Sequence, residues 1–334
     1  MKKVKISVVI PCLNEEKHID ACIRSILENG YPKDLLEIIV VDGMSSDGTL
    51  SILNKLKIEY DQLKIVENPK TITPVSLNLG LHNASSHYVL IASAHSSFDK
   101  NYIEILINAL ENTPGAIGVG GPMKTLVKNE TKISCAIQEV LQHRFGVGNS
   151  IFRTGSTKKI EVDTVPFGLY KKEVLVKAGG YDEKLVRNHD MELSKRLTEN
   201  GAKIYLIPET SCNYFARETY RELSSNNYKN GKWNLLTVFI TRRFSSLSAR
   251  HFIPMLFVLS LTIPSLLSFL YFPFIYLSAL SLLLYVLGII YFSACITSNK
   301  TTFFHLFFGF LSLHFSYGLG SLMGLLSIPF VKKA

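Results

Sequence analysis

Two short runs of β-branched residues near the N-terminus each end abruptly in polar and turn-forming residues. Residues 6–10 lead into Pro-Cys-Leu-Asn-Glu-Glu at 11–16, and residues 37–41 lead into Asp-Gly-Met-Ser-Ser-Asp-Gly-Thr at 42–49. An apolar pattern with helical spacing lies between them, which indicates a strand–helix–strand unit with parallel strands. Ligands of open α/β sheets bind where the carboxyl ends of such strands meet. Glu15, Asp42 and Asp47 are therefore expected at a binding edge.

The charged residues divide the chain into a polar part and an apolar part. All 27 acidic residues lie in the first 250 positions. Residues 252–272, 274–296 and 303–331 are apolar, and each is long enough to cross a bilayer, which takes about 20 residues. The last stretch fits one tilted helix, or a helix with a re-entrant piece. The formal charges after position 250 are three lysines: Lys300, Lys332 and Lys333.

This distribution predicts three parts: a cytosolic α/β domain at 1–235, a basic interfacial segment at 236–251, and a membrane domain of about three helices at 252–331. Basic residues at 229–250 would meet anionic headgroups on the cytoplasmic side. The few lysines near the C-terminus leave its side of the membrane open. No Lys/Arg block with interleaved aromatic residues occurs, so nucleic acid is not an expected partner. The N-terminal apolar run is too short for a signal peptide.

Local patterns predict alternating strands and helices in the first 120 residues. Pro74 suits the first turn of a helix, with Thr73 as its N-cap. A further helix is expected around 132–144, and only Pro273 separates the first two apolar stretches, which predicts a tight helical hairpin. The predicted strands are 6–10, 37–41, 63–66, 87–92 and 116–120, and the predicted helices are 17–28, 49–58, 74–84 and 101–111.

The acids at the first two strand ends are suited to a nucleotide. Carboxylates such as those of Glu15 and Asp42 accept hydrogen bonds from ribose hydroxyls and from the N–H groups of a base. The alternative is that they are loop acids that cap the next helix, and for Asp47, in Asp-Gly-Thr, this alternative is strong. The chain has neither a GxGxxG sequence after the first strand nor a P-loop sequence, which argues against a dinucleotide site and a P-loop ATPase.

Several segments, taken in order, resemble one family. They are 11–16, 41–49, 74–80, 166–170, 179–183, 186–193 and 314–320. Together they are similar to family 2 glycosyltransferases with the GT-A fold, and more narrowly to membrane-attached exopolysaccharide enzymes of the succinoglycan glucosyltransferase type. The resemblance implies an α/β nucleotide-diphospho-sugar transferase domain with a mixed central sheet, followed by C-terminal transmembrane helices.

The resemblance also implies roles for individual residues. Asp190 matches the catalytic base, which takes a proton from the acceptor hydroxyl, and Glu192 is a supporting residue. The alternative is structural, with Asp190 as a helix N-cap and Glu192 in a first-turn interaction. The residues that the resemblance places at the donor are Pro11, Asn14, Glu15, Asp42, Asp47, Asn78, Ser93, Arg217 and Lys229.

The sequence departs from the family at residues 93–95. The family carries Asp-x-Asp or Asp-x-His there to hold a divalent cation, whereas this chain reads Ser93-Ala94-His95. Only His95 keeps a ligand type, and imidazole suits Mn²⁺ better than Mg²⁺. Three possibilities stay open: a metal held by His95 with help from Asp99 or His189, catalysis without a metal through Lys or Arg, or binding without catalysis.

A second departure lies before the membrane segment, where the family has a QxxRW-like element. Gly231 and Trp233 match, but Asn226 and Lys229 stand where Gln and Arg are usual. Lys229 offers a point charge without the bidentate fork of Arg, and Arg217 is the other cationic candidate. The alternative for both is a basic rim that faces lipid headgroups.

The sequence therefore predicts an inverting glycosyltransferase in the inner membrane, multi-pass, with a cytoplasmic catalytic domain. Its donor is expected to be a nucleotide sugar, most simply a UDP-sugar, and its acceptor a lipid-linked or polysaccharide glycan. A separate polysaccharide exporter is expected, since two or three spans are too few for a channel. Two alternatives stay open: a catalytically impaired nucleotide-sugar-binding protein, suggested by Ser93, and a transporter with a cytosolic regulatory domain.

Overall fold

The computed structural model describes residues 3–330, and these form two compact units. The first contains the chain up to Lys124 together with Ile151–Phe215, and the second contains Thr125–Ser150 together with the chain from Ala216 onward. The predicted boundary at residue 235 falls inside one continuous helix, Tyr220–Thr241. Lys332 and Lys333 lie outside the described residues, so their side of the membrane stays a prediction.

The secondary structure alternates between strands and helices before the chain becomes wholly helical. The strands are β1 (Ile6–Cys12), β2 (Leu36–Asp42), β3 (Leu63–Glu67), β4 (Tyr88–Ile91), β5 (Ser96–Phe98), β6 (Ala116–Gly120), β7 (Met123–Leu126), β8 (Ile160–Glu161), β9 (Leu169–Lys171), β10 (Lys203–Leu206) and β11 (Cys212–Phe215). The helices are α1 (Ile19–Leu27), α2 (Thr49–Glu59), α3 (Thr73–Asn83), α4 (Tyr102–Glu111), α5 (Lys132–Gln142), α6 (Arg144–Val147), α7 (Ile151–Thr154), α8 (Lys172–Lys177), α9 (His189–Glu199), α10 (Tyr220–Thr241), α11 (Ile253–Leu267), α12 (Phe274–Ile296) and α13 (Phe303–Ser327).

The predicted strand–helix–strand unit is confirmed. β1 and β2 pair in parallel, and Cys12 lies opposite Asp42 at their carboxyl ends. The main sheet has the order β3–β2–β1–β4–β9–β6–β10–β8, and β9 runs antiparallel to both β4 and β6. The sheet is therefore mixed, as the resemblance implies. β5 and β11 pair antiparallel in a smaller sheet, whose third strand is β7.

Helices cover both faces of the main sheet. Alternate residues of β1 enter two separate apolar clusters: Ile6 and Val8 pack with α1, α2 and α4, whereas Val9 packs with α3, α8 and α9. Burial on both faces explains why β1 and β2 are mostly apolar instead of alternating between apolar and polar residues. Helix α3 lies so close to the sheet that a Cβ atom at Gly80 would come 2.2 Å from Val9 Cγ1. The sheet edge that carries the strand-end loops is thus held on both sides.

Some local predictions need correction. Thr73 is the first residue of α3, with Ile72 at the N-cap and no side-chain cap, so the predicted Thr73 cap is wrong. The first apolar helix ends at Leu267 and the second begins at Phe274, so six residues, and not Pro273 alone, form the turn between them. The hydrogen bonds from the N–H groups of Leu270 and Tyr271 to the Leu267 carbonyl tighten this turn.

The second unit joins α5 and α10 to the apolar helices. Its core cluster includes Val140 from α5, Leu223 from α10, Ile289 from α12 and Phe310 from α13. Helices α10 and α13 come into backbone contact through glycines. A Cβ atom at Gly320 would lie 2.1 Å from the Tyr228 carbonyl oxygen, and one at Gly324 would lie 2.3 Å from that of Lys232. Small residues permit this approach, as in packed membrane helices.

The described residues contain three helices that are long and apolar enough to cross a membrane. These are Ala249–Leu267, which includes a short 3₁₀ turn, Phe274–Ile296 and Phe303–Phe330. The last segment is one continuous helix with a terminal 3₁₀ turn, so a re-entrant piece is not seen there. Length and composition of the three helices indicate that the chain associates with a membrane.

Candidate functional site

The two strand-end loops are locked to each other by hydrogen bonds. The main-chain N–H of Asn14 donates to Ser45 Oγ (2.8 Å), and the N–H of Ser46 donates to Asn14 Oδ1 (2.8 Å). Asn14 adopts φ +54°, a left-handed conformation that asparagine tolerates better than most residues. The N–H of Glu15 donates to Thr49 Oγ1 (2.8 Å). The edge predicted from the strand ends is therefore a preformed structure.

Asp42 is enclosed at the base of this edge. Its side chain accepts hydrogen bonds from the main-chain N–H (2.9 Å) and the hydroxyl (2.6 Å) of Ser45, and the residue is only 1% exposed. These bonds hold the loop after β2 in place. Each carboxylate oxygen can accept more than one hydrogen bond, so the role of Asp42 in donor binding stays a prediction.

Asp47 and Glu16 shape the start of α2. Asp47 Oδ1 accepts hydrogen bonds from Thr49 N–H (3.0 Å) and Thr49 Oγ1 (2.5 Å), and Glu16 Oε2 accepts one from Gly48 N–H (2.9 Å). These bonds from Thr49 lower the pKa of Asp47 against a partial opposing effect of burial. Gly48 is the N-cap of α2 and no side chain caps this helix, so the alternative in which Asp47 is the cap is wrong. A direct contact between Asp47 and the donor stays a prediction.

The edge carries a concentration of negative charge. Burial, followed by the nearby carboxylates of Asp42 and Glu15, raises the pKa of the Cys12 thiol well above its usual range. The thiol is accordingly neutral and is not a nucleophile. An anionic donor therefore needs positive charge, from a cation or from basic side chains, to bind at this edge.

Glu15, His18 and His95 form a cluster with the ligand types of a metal site. The His95 Nε2 and Glu15 Oε1 atoms lie 2.8 Å apart, and the ring centroids of His18 and His95 are separated by 4.4 Å. One ligand atom from each of the three residues lies within 4.8 Å of the other two. All three residues are partly exposed, so a ligand can reach them.

This donor set fits a divalent cation with an affinity for nitrogen. Two imidazoles and one carboxylate suit Mn²⁺ or Zn²⁺ better than Mg²⁺, which prefers oxygen ligands. Ser93, at the position of the family aspartate, bonds within its own turn: its carbonyl accepts from Ser96 Oγ (2.6 Å). Neither helper expected from the sequence joins the cluster, since Asp99 pairs with Lys124 (3.2 Å) and His189 packs on the Tyr181 ring.

His18 is the residue that sequence reasoning missed. It occupies the N-cap position of α1, three residues after Glu15, but its side chain makes no capping hydrogen bond there. The signal available in the sequence was a histidine three residues after a strand-end carboxylate. Its partner His95 comes from β4's end, about eighty residues later, and only the fold brings the two together.

Asp190 and Glu192 have different environments in α9. Asn188, with φ +62°, is the N-cap, so the alternative in which Asp190 caps this helix is wrong. Asp190 is exposed in the first turn, and its charge adds to burial in raising the pKa of the Tyr170 phenol. Glu192 is only 6% exposed and accepts two hydrogen bonds of 2.8 Å from Arg196. The exposed acid is available to a substrate, and the buried one is not.

Arg196 connects this helix to the segment at 178–183. Besides Glu192, it donates hydrogen bonds to the carbonyl oxygens of Ala178 and of Gly180 (2.8 Å). Asn78 holds the same segment from α3: its Oδ1 accepts from Tyr181 N–H (2.8 Å), and its Nδ2 donates to the Tyr181 carbonyl (2.9 Å). Asn78 thus has a structural contact, and its assignment to the donor stays a prediction.

The remaining predicted residues divide between the units. Pro11 lies in β1 opposite Val41, at the base of the strand-end edge, and is partly exposed. Arg217 and Lys229 belong to the second unit, where both are exposed and Lys229 lies on α10. Their contact with a donor stays a prediction.

Comparison with known families agrees with this architecture. A family model described as "Glycosyl transferase family 2" matches residues 7–177, which is about half of the chain and includes β1, β2 and the 93–95 turn. The chain belongs to this family. It is a glycosyltransferase, and the family resemblance read from the motifs is confirmed.

Two curated relatives illustrate the range of similar proteins. The chain is 29% identical over 224 residues to the dolichyl N-acetyl-alpha-D-glucosaminyl phosphate 3-beta-D-2,3-diacetamido-2,3-dideoxy-beta-D-glucuronosyltransferase of Methanococcus voltae, covering 65% of this chain and 68% of that protein. It is 31% identical over 212 residues to the succinoglycan biosynthesis protein ExoA of Rhizobium meliloti, covering 63% of each. The matched regions thus cover about two thirds of the length of these two relatives.

Solved structures support the GT-A fold. The mannosyltransferase PcManGT from Pyrobaculum calidifontis, in complex with GDP-Man and Mn²⁺, superposes with a TM-score of 0.58 at 16% identity, covering 99% of this chain and 89% of that one. The S. aureus TarS fragment in complex with UDP gives 0.50 at 17% identity, covering 75% of each. At these identities, the likeness concerns the fold.

Proposed function

We propose that this glycosyltransferase moves a sugar from a nucleotide-diphosphate donor, most simply a UDP-sugar, to a lipid-linked or polysaccharide acceptor, with inversion at the anomeric carbon. The observation that carries the proposal is the preformed edge at the ends of β1 and β2, where Cys12 lies opposite Asp42 and where the loops interlock. Edges of this kind bind nucleotides in α/β sheets. The names of the M. voltae and R. meliloti relatives support lipid-linked and polysaccharide acceptors.

In the proposed reaction, Asp190 is the catalytic base, and Glu192 and Arg196 hold it in position. The acceptor oxygen forms a bond to the anomeric carbon while the bond to the diphosphate oxygen breaks, and that oxygen keeps the electron pair. The acceptor proton passes to the Asp190 carboxylate, which is exposed in the first turn of α9. Glu192 does not touch the substrate in this proposal. It holds Arg196, and through it α9, so that Asp190 faces the acceptor.

A divalent cation is part of the proposal. Neighbours of this fold are solved with Mn²⁺, and Glu15, His18 and His95 are the residues that would hold such an ion here. When bound, it would neutralise negative charge on the leaving diphosphate. Imidazole ligands favour Mn²⁺ over Mg²⁺.

The membrane helices support a reaction at a membrane surface. We propose a multi-pass inner-membrane protein whose catalytic unit faces the cytoplasm, where nucleotide sugars are made, and whose product leaves through a separate exporter. The three apolar helices support membrane association. A second candidate, donor binding without transfer, is favoured by Ser93, which brings no carboxylate to the family's metal position.

The test is a transfer assay with UDP-, GDP- and dTDP-sugars and a lipid acceptor fraction, run with Mn²⁺, with Mg²⁺ and with EDTA. We expect one nucleotide class to be consumed in the presence of Mn²⁺, with NMR of the product showing an inverted anomeric centre. Donor binding without consumption in every condition would favour the second candidate. Absence of both binding and consumption would refute the proposed function.

A further inference from the structure

Arg153 is a guanidinium that is enclosed without an acidic partner. It lies on α7, stacked over the rings of Phe152 (5.5 Å to the centroid) and Tyr214 (5.9 Å). Its Nη1 is buried and has no hydrogen-bond partner, and no carboxylate within residues 3–330 is paired with it. The residue as a whole keeps partial exposure, so a ligand has access to it.

This arrangement is costly unless an anion completes it. Enclosing a charge requires compensation by opposite charge and hydrogen bonds. Stacking on aromatic rings compensates for part of the cost, but it leaves the N–H donor unused. Burial lowers the pKa of Arg153, yet an arginine remains protonated in proteins. The group is therefore a permanent cation that lacks its counterion.

The ring under Arg153 belongs to a strand that pairs with the end of the turn that carries His95. Tyr214, under Arg153, is in β11 and pairs with Ser96 of β5. Ser96 follows His95 directly, and its hydroxyl bonds to the Ser93 carbonyl (2.6 Å). Paired strands are about 4.8 Å apart, so the backbone of Tyr214 lies one strand away from the end of this turn. In the proposed function, His95 of this turn would help to hold the cation that neutralises the leaving diphosphate.

We propose that Arg153 binds the diphosphate of the donor and of the nucleoside-diphosphate product. The inference rests on the proposed function and deepens it. The planar guanidinium supplies several N–H donors that match phosphate oxygens. Negative charge on the diphosphate grows as the bond to the sugar breaks, so the interaction strengthens toward the transition state. Arg153 thereby adds positive charge near a turn in which Ser93 replaces the aspartate of the family.

The test is calorimetric binding of UDP, GDP and dTDP, and of the matching monophosphates, by the full-length protein in detergent. The variants are Arg153→Gln, Arg153→Lys and, as the matched control, Arg24→Gln. Arg24 is an arginine of the same unit that pairs with Asp20 and Glu59 at the far end of α1 and α2. Each titration is run with Mn²⁺ and with EDTA, and the melting temperature is recorded with and without ligand.

For the nucleotide that the wild type binds, we expect Arg153→Gln to weaken the diphosphate by about 10- to 100-fold, as for loss of a hydrogen bond to a charged group. The monophosphate should be weakened less, Arg153→Lys should keep part of the affinity, and Arg24→Gln should bind like the wild type. Without ligand, Arg153→Gln should melt at the wild-type temperature or above it, because an unpaired enclosed charge is removed.

Two results would overturn the inference while leaving the proposed function intact. One is wild-type diphosphate affinity in Arg153→Gln. The other is a melting temperature lowered by several degrees together with an equal loss for diphosphate and monophosphate, which identifies a structural residue. If the wild type binds none of the three diphosphates, the proposed function fails and this inference fails with it.

Discussion

The contrast between Asp190 and Glu192 can be tested by separating stability from activity. Asp190→Asn changes an exposed carboxylate, whereas Glu192→Ala removes one partner of an ion pair whose side chains are only 8% (Glu192) and 22% (Arg196) exposed. If Asp190 is the base and Glu192 a positioning residue, the first substitution acts on the chemical step. The second acts on the fold around it.

The magnitudes follow from these environments. Loss of one partner from a buried ion pair costs about 3–5 kcal/mol, and we expect the low end, about 3 kcal/mol, because Arg196 keeps its bonds to two carbonyl oxygens. That corresponds to a fall in Tm of about 6–12 °C for a unit of this size. Asp190→Asn should change stability by less than about 0.5 kcal/mol, while kcat falls by about 10²- to 10⁴-fold.

The assay combines thermal unfolding in detergent with steady-state transfer kinetics on the same preparations. Asp190→Asn should keep wild-type donor affinity, since the base acts on the acceptor. Glu192→Gln serves as the milder companion to Glu192→Ala, because it keeps the shape of the side chain. Full activity in Asp190→Asn, or an unchanged Tm in Glu192→Ala, would show that the roles assigned to this helix are incorrect.

Two further predictions concern the ligand cluster and the sheet. His18→Gln should weaken Mn²⁺ binding by at least about tenfold, because even the supporting groups of metal sites contribute about 10- to 100-fold to metal affinity. Electron paramagnetic resonance of Mn²⁺ measures the affinity, and His82→Gln, at an exposed histidine, is the control. Equal Mn²⁺ affinity in the two variants would exclude His18 as a ligand. Glu37 lies in β2 and is buried. Hydrogen bonds from Lys64, Ser7 and Ser85 outweigh the effect of burial and lower the pKa of Glu37 to about 2. The stabilisation by Glu37 is therefore present above its unfolded pKa and is lost as pH falls from about 4.5 toward 2. Glu37→Gln should lower the free energy of unfolding by at most about 3 kcal/mol at pH 7, and by progressively less between pH 4.5 and pH 2. Urea unfolding at several pH values measures this difference, and a difference that does not depend on pH would contradict the prediction.

Local signals in the sequence were sufficient to predict the first strand–helix–strand unit. The β-branched runs at 6–10 and 37–41 end in turn residues, and a helix between them forces parallel pairing, so the meeting of Cys12 and Asp42 could be predicted. The individual hydrogen bonds between the two loops could not be predicted. The hydrogen bonds from the N–H of Asn14 to Ser45 and from that of Glu15 to Thr49 depend on register and on backbone conformation at single residues.

The parts that sequence reasoning missed depend on long-range packing. His18 and His95 acquire a common ligand position only when β1 and β4 pair. Helix α5 resembles any amphipathic helix by pattern, but it packs with the apolar helices in the second unit, so the division of the chain differs from the predicted one. The contact of the Asn78 amide with Tyr181, 103 residues away, depends on the fold in the same way, and the assignment of Asn78 to the donor stays a prediction.

The backbone contact between α10 and α13 has a mechanical consequence. Where glycines bring two helices together, a sliding movement by even one turn would drive side chains into main-chain atoms. The two helices therefore move as one rigid unit. The depth of α13 in the bilayer sets the height above the membrane of every side chain on α10, Lys229 and Trp233 included. Bilayer thickness thus becomes a variable that can raise or lower the basic side chains of this enzyme without any change in its sequence.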